Sequence, residues 1–301
     1  MDCEHDAIDV PWGVPRRLRG IAVGNCLSPV VTTPGFHRGE WLAHRGTRRA
    51  PAPLVNFSAY TSTRPNSTCV TRELGGFRIV AESRAAGART GGDFWIATAS
   101  EQGRLAVVIG DACGHGASAA KLLQHLLPTV RELARFGAGP GWLLWELNRR
   151  IQKWIPIDRF VTAAAFELDL RSGRVSVANA GHVPALLRHA DGSCSVVGRP
   201  SGPPLGMEHR SDYGEERCRF HAGDVLVCMT DGVFEAVETD LMAMRTLRNV
   251  VARAGRDSRA VQRAVLAQLD TVPAVKDDLT LVSLEARADI APLYRHYEQV
   301  A

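Results

Sequence analysis

Five aspartates occupy the places in this 301-residue chain where chemistry is easiest to build. Asp93 follows Gly91-Gly92, Asp111 follows Gly110, Asp231 precedes Gly232, and Asp277 and Asp278 stand side by side. Each lies at one end of a strand-like run. A carboxylate at the end of a buried strand, beside glycines that let the backbone turn sharply, is a common way to present a metal ligand. Taken singly, each acid reads equally well as a turn or helix-cap residue. Taken together at strand ends, they would repel strongly unless cations neutralised them. Hard oxygens without a His/Cys cluster favour Mg²⁺ or Mn²⁺ over Zn²⁺. Two such ions roughly 3.5–4 Å apart lower the pKa of a bridging water and clamp a phosphoryl group for in-line attack.

The elements that must position these acids are legible in part. Residues 105–109 form a continuous apolar run that suits a buried strand ending at Asp111. The next stretch, Gly110-Asp111-Ala112-Cys113-Gly114-His115-Gly116, leads into residues 117–136, whose apolar positions recur three and four apart as in an amphipathic helix. A cluster of glycine and proline at 137–140 separates it from a second helix over 141–155. Order is expected to begin near Gly76, with strands over 77–81 and 93–99 and a turn at Gln102-Gly103. Residues 160–168, 175–178, 185–187 and 194–197 alternate with turns as an antiparallel meander does. Strands at 216–220 and 224–229, a helical stretch over 239–269 and a last strand at 279–284 complete the pattern. Strand runs with inserted helices indicate an α+β class with two antiparallel sheets and helices outside.

Composition narrows the function classes. The apolar fraction of 45% supports a sizeable core in one large domain or two small ones. Residues 1–72 carry nine Arg, no Lys and five acids, so the whole formal charge of +4 sits there. They are rich in Pro and Gly without periodicity and read as a mostly disordered basic extension with one short element near 20–23. Scattered arginines without interleaved aromatics do not make a nucleic-acid site. The seven cysteines have neither disulfide-framework nor zinc spacing, which fits a reducing cytoplasm. No apolar run reaches the roughly 20 residues that span a bilayer, and the N-terminus has no signal-peptide pattern.

Six motifs then carry a resemblance: GGDFW at 91–95, GDACGHGASAA at 110–120, NAGHVPALL at 179–187, PLGM at 204–207, GDVLVCMTDGVFEA at 223–236 and DDLTLVSL at 277–284. In order and spacing the chain resembles the SpoIIE-like, RsbU-type branch of the metal-dependent protein phosphatases, bacterial relatives of the type 2C serine/threonine phosphatases. The resemblance covers residues 77–284 and makes 73–287 the expected phosphatase domain, with 288–301 a tail. It implies a four-layer α-β-β-α sandwich with a two-metal site, Mn²⁺ or Mg²⁺, in a cleft at one edge. It further implies that Asp111 bridges both ions with the Ala112 carbonyl as a further ligand. Asp231 and Asp277 would hold one ion, and Asp93 would bind directly or through water. Asp278, Gly92 and Gly232 would support them. The implied attacking group is a metal-activated hydroxide, with no covalent phosphoenzyme. The implied substrates are phosphoserine or phosphothreonine proteins, in this branch anti-sigma-factor antagonists.

The chain departs from the pattern in three places. Ile96 stands where the family often has a second acid after the GGD aspartate, and Ala112-Cys113 replaces the usual Val-Ser. Cys113 reads as a small buried residue or as an oxidisable thiol beside the ions. No arginine is an evident phosphate clamp; Arg89 is nearest the GGD loop, with Arg84 behind it. His115 is positioned either to donate a proton to the leaving alkoxide or to open the helix. His182 and Asn179 read as turn-fixing residues near the cleft. Trp142, Trp145 and Trp154 read as core or as a partner-docking face, so the 117–155 helix pair is the expected seat of a homodimer or regulatory partner. A non-catalytic partner-binding module on the same fold is the competing reading. A dead copy, however, has no need of mutually repelling buried carboxylates. A metal-dependent nuclease would need a basic catalytic half that residues 73–301 lack.

Overall fold

The computed structural model describes residues 56–60, 68–74, 77–84, 91–100, 104–114, 116–169, 172–237, 240–270 and 277–286. In chain order these form β1 (Asn56–Tyr60), β2 (Thr68–Leu74), β3 (Phe77–Arg84), β4 (Asp93–Ala99) and β5 (Leu105–Ala112). Two helices follow, α1 (Ala117–Phe136) and α2 (Pro140–Ile151). Next come β6 (Val161–Asp169), β7 (Arg174–Ala180), β8 (Ala185–Arg188), β9 (Cys194–Val197), β10 (Glu216–Arg219) and β11 (Val225–Met229). The last elements are α3 (Asp231–Val237), α4 (Asp240–Arg253), α5 (Ser258–Leu269) and β12 (Leu279–Ala286).

The strands make two six-stranded sheets, ordered β1-β4-β5-β6-β7-β10 and β2-β3-β12-β11-β8-β9, with antiparallel pairing throughout. The period-2 geometry of a strand sorts the side chains into layers. In β5, Leu105, Val107 and Ile109 enter the core between the sheets, while Ala106 and Val108 enter the core under α1 and α2. β4 does the same, with Trp95 and Ala97 inward and Phe94 and Ile96 towards the helices. In the second sheet, Leu226 and Cys228 of β11 face the first sheet, and Val225, Val227 and Met229 face α3, α4 and α5. Both faces of the central strands are therefore buried, which is why they read as continuous apolar runs. The result is an α+β sandwich of four layers, α-β-β-α, as the sequence indicates.

Helix ends follow local chemistry. Pro140 opens α2, where its missing N–H costs nothing, and Gly137 closes α1 in the left-handed region at φ 69°. Asp257 caps α5 by accepting a hydrogen bond from the Ala260 N–H at 2.8 Å. The stretch 239–269, read as one helical region, is two helices broken around Gly255, and the second helix expected over 141–155 ends at Ile151.

Order does not begin near Gly76. β1 and β2 lie upstream of it, pairing with β4 and β3. Each is an outermost strand with a ladder on one side only, and β2 fully buries only Leu74 among its described side chains, so the apolar alternation that marks a strand is missing. All the described residues fall in one compact unit, which begins at residue 54. The short element expected near 20–23, the extension before 55 and the tail 288–301 lie outside the described residues.

Asn179 and His182 fix the turn after β7 as expected. The Asn179 side chain donates to the His182 and Gly198 carbonyls and accepts from the His182 N–H at 2.7 Å. Nδ1 of His182 lies 2.9 Å from the Thr162 hydroxyl. Burial pushes the imidazole down to about 4.

Two expectations follow. A His whose native pKa is depressed destabilises the fold as pH falls, because only the unfolded chain takes up the proton. Between pH 6.5 and 4 His182 should thus remove roughly 3 kcal/mol. Urea titrations should show His182→Gln losing less stability than the wild type across that window; parallel losses would contradict this. A chain beginning at residue 54 should melt cooperatively. One beginning at Glu73 discards β1 and most of β2 and should melt at least roughly 10 °C lower; equal melting points would show that the upstream strands contribute nothing.

Candidate metal centre

β4 and β5 are adjacent antiparallel strands in a register that sets Asp93 directly opposite Asp111. Directly opposed residues have Cα atoms about 4.5–5.5 Å apart. By the parity of their strands, both acids follow the inward-facing set, Trp95 and Ala97 on one strand and Leu105, Val107 and Ile109 on the other. They therefore close one end of the core between the sheets. The second sheet meets them there. Thr230, one residue past β11, donates its hydroxyl to Asp93 Oδ2 at 2.7 Å and accepts from the Thr280 N–H at 2.9 Å. Asp278 Oδ2 accepts from the Gly92 N–H at 3.1 Å, and the Asp278 N–H donates to Asp277 Oδ1 at 2.8 Å. Asp231 opens α3 immediately after Thr230.

The two glycines are required by space. A Cβ on Gly92 would collide with Asp111 Oδ1 and the Ala112 carbonyl oxygen together, so both oxygens flank the one small volume that glycine leaves clear. A Cβ on Gly232 would collide with the Asp278 carbonyl. The Ala112 N–H donates to the Gly92 carbonyl at 3.0 Å, which locks the GGD turn to the end of β5.

Electrostatics mark this as an energetically costly arrangement. Burial, then the Asp111 charge, raises Asp93 well above the carboxylate range, although the Thr230 and Thr280 hydroxyls oppose the shift. Burial, then Asp231, Asp277 and Asp278, raises Asp111. Burial and the Asp277 charge push Asp231 to about 6. Two unit charges 5 Å apart at an effective dielectric constant of 20 repel by about 3 kcal/mol, so a bound cation would relieve a real cost. Among the described residues, no three His, Cys, Asp or Glu side chains stand close enough together to hold an ion as they are posed. The donor set is nonetheless oxygen throughout, pairs a carboxylate with a carbonyl over the Gly92 gap, and fits Mg²⁺ or Mn²⁺.

Of the residues singled out in the sequence, Gly92, Asp93, Asp111, Ala112, Asp231, Gly232 and Asp278 come together, with Asp277 exposed at the rim. His115 and Arg89 lie outside the described residues. Arg84 is committed elsewhere, to Glu82 and Asp270, each at 2.8 Å. Cys113 is half-buried, and its N–H donates to the Phe160 carbonyl at 3.0 Å. Sequence reading passed over Thr230 and Thr280 as supports of Asp93, although the parity of β11 places Thr230 on the inward face. It also passed over Arg159, whose Nη1 donates to the Cys113 carbonyl at 3.0 Å. Nothing in the loop around Arg159 marks that contact in sequence.

The stage II sporulation protein E (SpoIIE) family model matches residues 101–287, more than half of the chain. Phosphoserine phosphatase RsbP of Bacillus subtilis is 27% identical over 148 residues, 48% of this chain and 36% of that relative, so the match spans about a third of its length. The structure of the RsbU and RsbW domains of Rv1364c from Mycobacterium tuberculosis aligns with a TM-score of 0.63 at 30% identity, covering 71% of this chain and 60% of that one. The PP2C phosphatase domain of SpoIIE from Bacillus subtilis, solved with a fragment of its regulatory domain, aligns at 0.60 and 20% identity, covering 78% and 70%, which speaks for the fold.

Because ionised carboxylates with raised pKa values weaken the native state at neutral pH, Asp111→Asn should melt a few degrees higher than the wild type in chelator, while losing most of the upward shift that Mn²⁺ gives the wild type. A variant that melts lower in chelator and keeps the full Mn²⁺ shift would refute the assignment.

Proposed function

The chain belongs to the SpoIIE family, and on that footing we propose that it is a metal-dependent protein serine/threonine phosphatase. The observation that carries this reading is the crowding of five aspartates at one edge of the sandwich, Asp93 and Asp278 buried, Asp111 and Asp231 half-buried and Asp277 exposed, with Asp93 directly opposite Asp111. In this reading Asp111 would serve both divalent ions with the Ala112 carbonyl as a further ligand, Asp231 and Asp277 would hold one of them, and Asp93 would contribute directly or through water. Bound there, the ions supply a water of lowered pKa and neutralise the phosphoryl oxygens. The chain's own residues hold that set in place: Thr230 orients Asp93, Asp278 anchors the Gly92 turn, and Gly92 keeps the space above Asp111 open. His115 is the candidate proton donor to the leaving alkoxide.

The substrate in this proposal is a phosphoserine or phosphothreonine protein of bacterial signalling, of the anti-sigma-factor-antagonist kind, in the cytoplasm. Among the described residues no helix is long and apolar enough to cross a membrane. The α1–α2 pair leaves Phe136 and Trp145 partly exposed, as is Trp154 just past α2, which supports a second copy or a regulatory partner seated there. A partner-binding module without catalysis has less support, since its carboxylates would carry their repulsion to no purpose.

Full-length protein should hydrolyse para-nitrophenyl phosphate and a phosphoserine peptide with Mn²⁺ or Mg²⁺ and stop in chelator. Asp111→Asn and Asp231→Asn should each lose at least about a hundredfold in kcat/KM, the scale of losing one stabilised charge in a transition state. Sustained turnover in chelator, or near-wild-type rates in either variant, would overturn the two-ion reading.

A further inference from the structure

The loop between α2 and β6 lies against the strand end that carries Asp111 and Ala112. Ala112 is paired with Val161 across β5 and β6, Val161 and Leu205 exchange backbone hydrogen bonds at 2.9 and 2.8 Å, and Cys113 is bonded to Phe160. Two loops, 152–160 and 205–209, are thereby held at the edge of the candidate centre. Gly206, at φ 93°, packs so closely on Ile155 that a Cβ there would lie 2.8 Å from its Cδ1, with the Arg159 carbonyl 3.4 Å away. On this edge Ile157 is fully exposed and Met207 is 48% exposed.

Arg159 joins this apolar edge to the site. Its Nη1 donates to the Cys113 carbonyl and presses on the Gly114 backbone, where a Cβ would collide with it. Its ion pair with Asp158 is long, 3.8 Å, to a carboxylate that is 74% exposed. One contact seats the guanidinium on the loop two residues past Asp111, while the side chain keeps 30% of its surface in solvent. A planar cation with several N–H donors, half-anchored beside a set of carboxylates that would hold metal ions, suits a phosphate dianion and the backbone around it.

We propose that Arg159 is a specificity-determining residue. It meets a phosphoprotein segment at the phosphoserine, and the rim of Ile155, Ile157 and Met207 receives an apolar side chain flanking that serine. The proposal rests on the phosphatase reading above. Charge complementarity with the phosphate and continuity with the loop bearing Asp111 and Ala112 identify the occupant as the substrate segment.

The test uses full-length protein with Mn²⁺ and three probes: para-nitrophenyl phosphate, a phosphoserine peptide flanked by leucines, and the same peptide flanked by glycines. The readout is the ratio of kcat/KM for each peptide to that for the small ester. Arg159→Ala should lower the ratio by about tenfold or more, mainly through KM, the scale of one charge-assisted hydrogen bond. Arg159→Lys, which keeps the charge and loses the fork, should recover part of it. The wild type should prefer the leucine-flanked peptide by about threefold or more, for partial burial of one side chain, and Ile157→Asp should erase that preference. If Arg159→Ala leaves the ratio unchanged while both activities fall and the Mn²⁺ requirement rises, Arg159 only braces the Cys113 loop and the proposal is wrong. It is also wrong if the ratio and the activities are all unchanged, or if the wild type treats both peptides alike. Wild-type protein that hydrolyses the small ester but neither peptide overturns this proposal and leaves the metal-dependent esterase chemistry standing; hydrolysis of none of the three overturns both.

Discussion

Two carboxylates facing each other across one rung of an antiparallel ladder, under a roof of further acids, are the constraint on which this structure turns. Asp93 and Asp111 are held there by a register that the apolar pattern of β4 and β5 fixes, because a slip of one residue would send Trp95 and Ile109 to the wrong layer. The core thus specifies where the charges lie and opposes their tendency to separate. The cost is real, since each group is pushed towards its neutral form by burial and by its neighbours. Cations bound among these carboxylates would relieve it.

The second sheet shares in this. Thr230 and Asp278 reach across from the ends of β11 and β12 and bond to the Asp93 carboxylate and the Gly92 amide. The mouth of the sandwich is consequently tied by hydrogen bonds from both sheets, and the glycines at 92 and 232 are what allow the backbones to approach. Site geometry and sheet packing are therefore coupled, so a change that shifts one sheet against the other also displaces one of these aspartates.

Much of this was legible in the sequence for a physical reason. Central strands buried on both faces announce themselves as apolar runs, as residues 105–109 do, and their ends are where an Asp beside Gly becomes conspicuous. The α1–α2 pair and the meander from β6 to β9 followed from periodicity and turn residues. Edge strands were not legible: β2 fully buries only Leu74 among its described side chains and bonds on one side only, so its sequence carries little of the alternation that betrays a strand. The short α3 was missed because seven residues hold too few turns to show a period. Contacts made by long side chains across the fold, such as Arg159 to Cys113, leave no local trace, whereas Thr230 was within reach of a parity argument from β11.

The central claim, that these aspartates make a two-ion site, is tested most directly by titrating metal-free, full-length protein with Mn²⁺ in a calorimeter. A carboxylate site of this kind requires saturable binding of two Mn²⁺ per chain, with at least one of them lost in Asp111→Asn. Absence of saturable binding, or an isotherm that Asp111→Asn leaves unchanged, would contradict it.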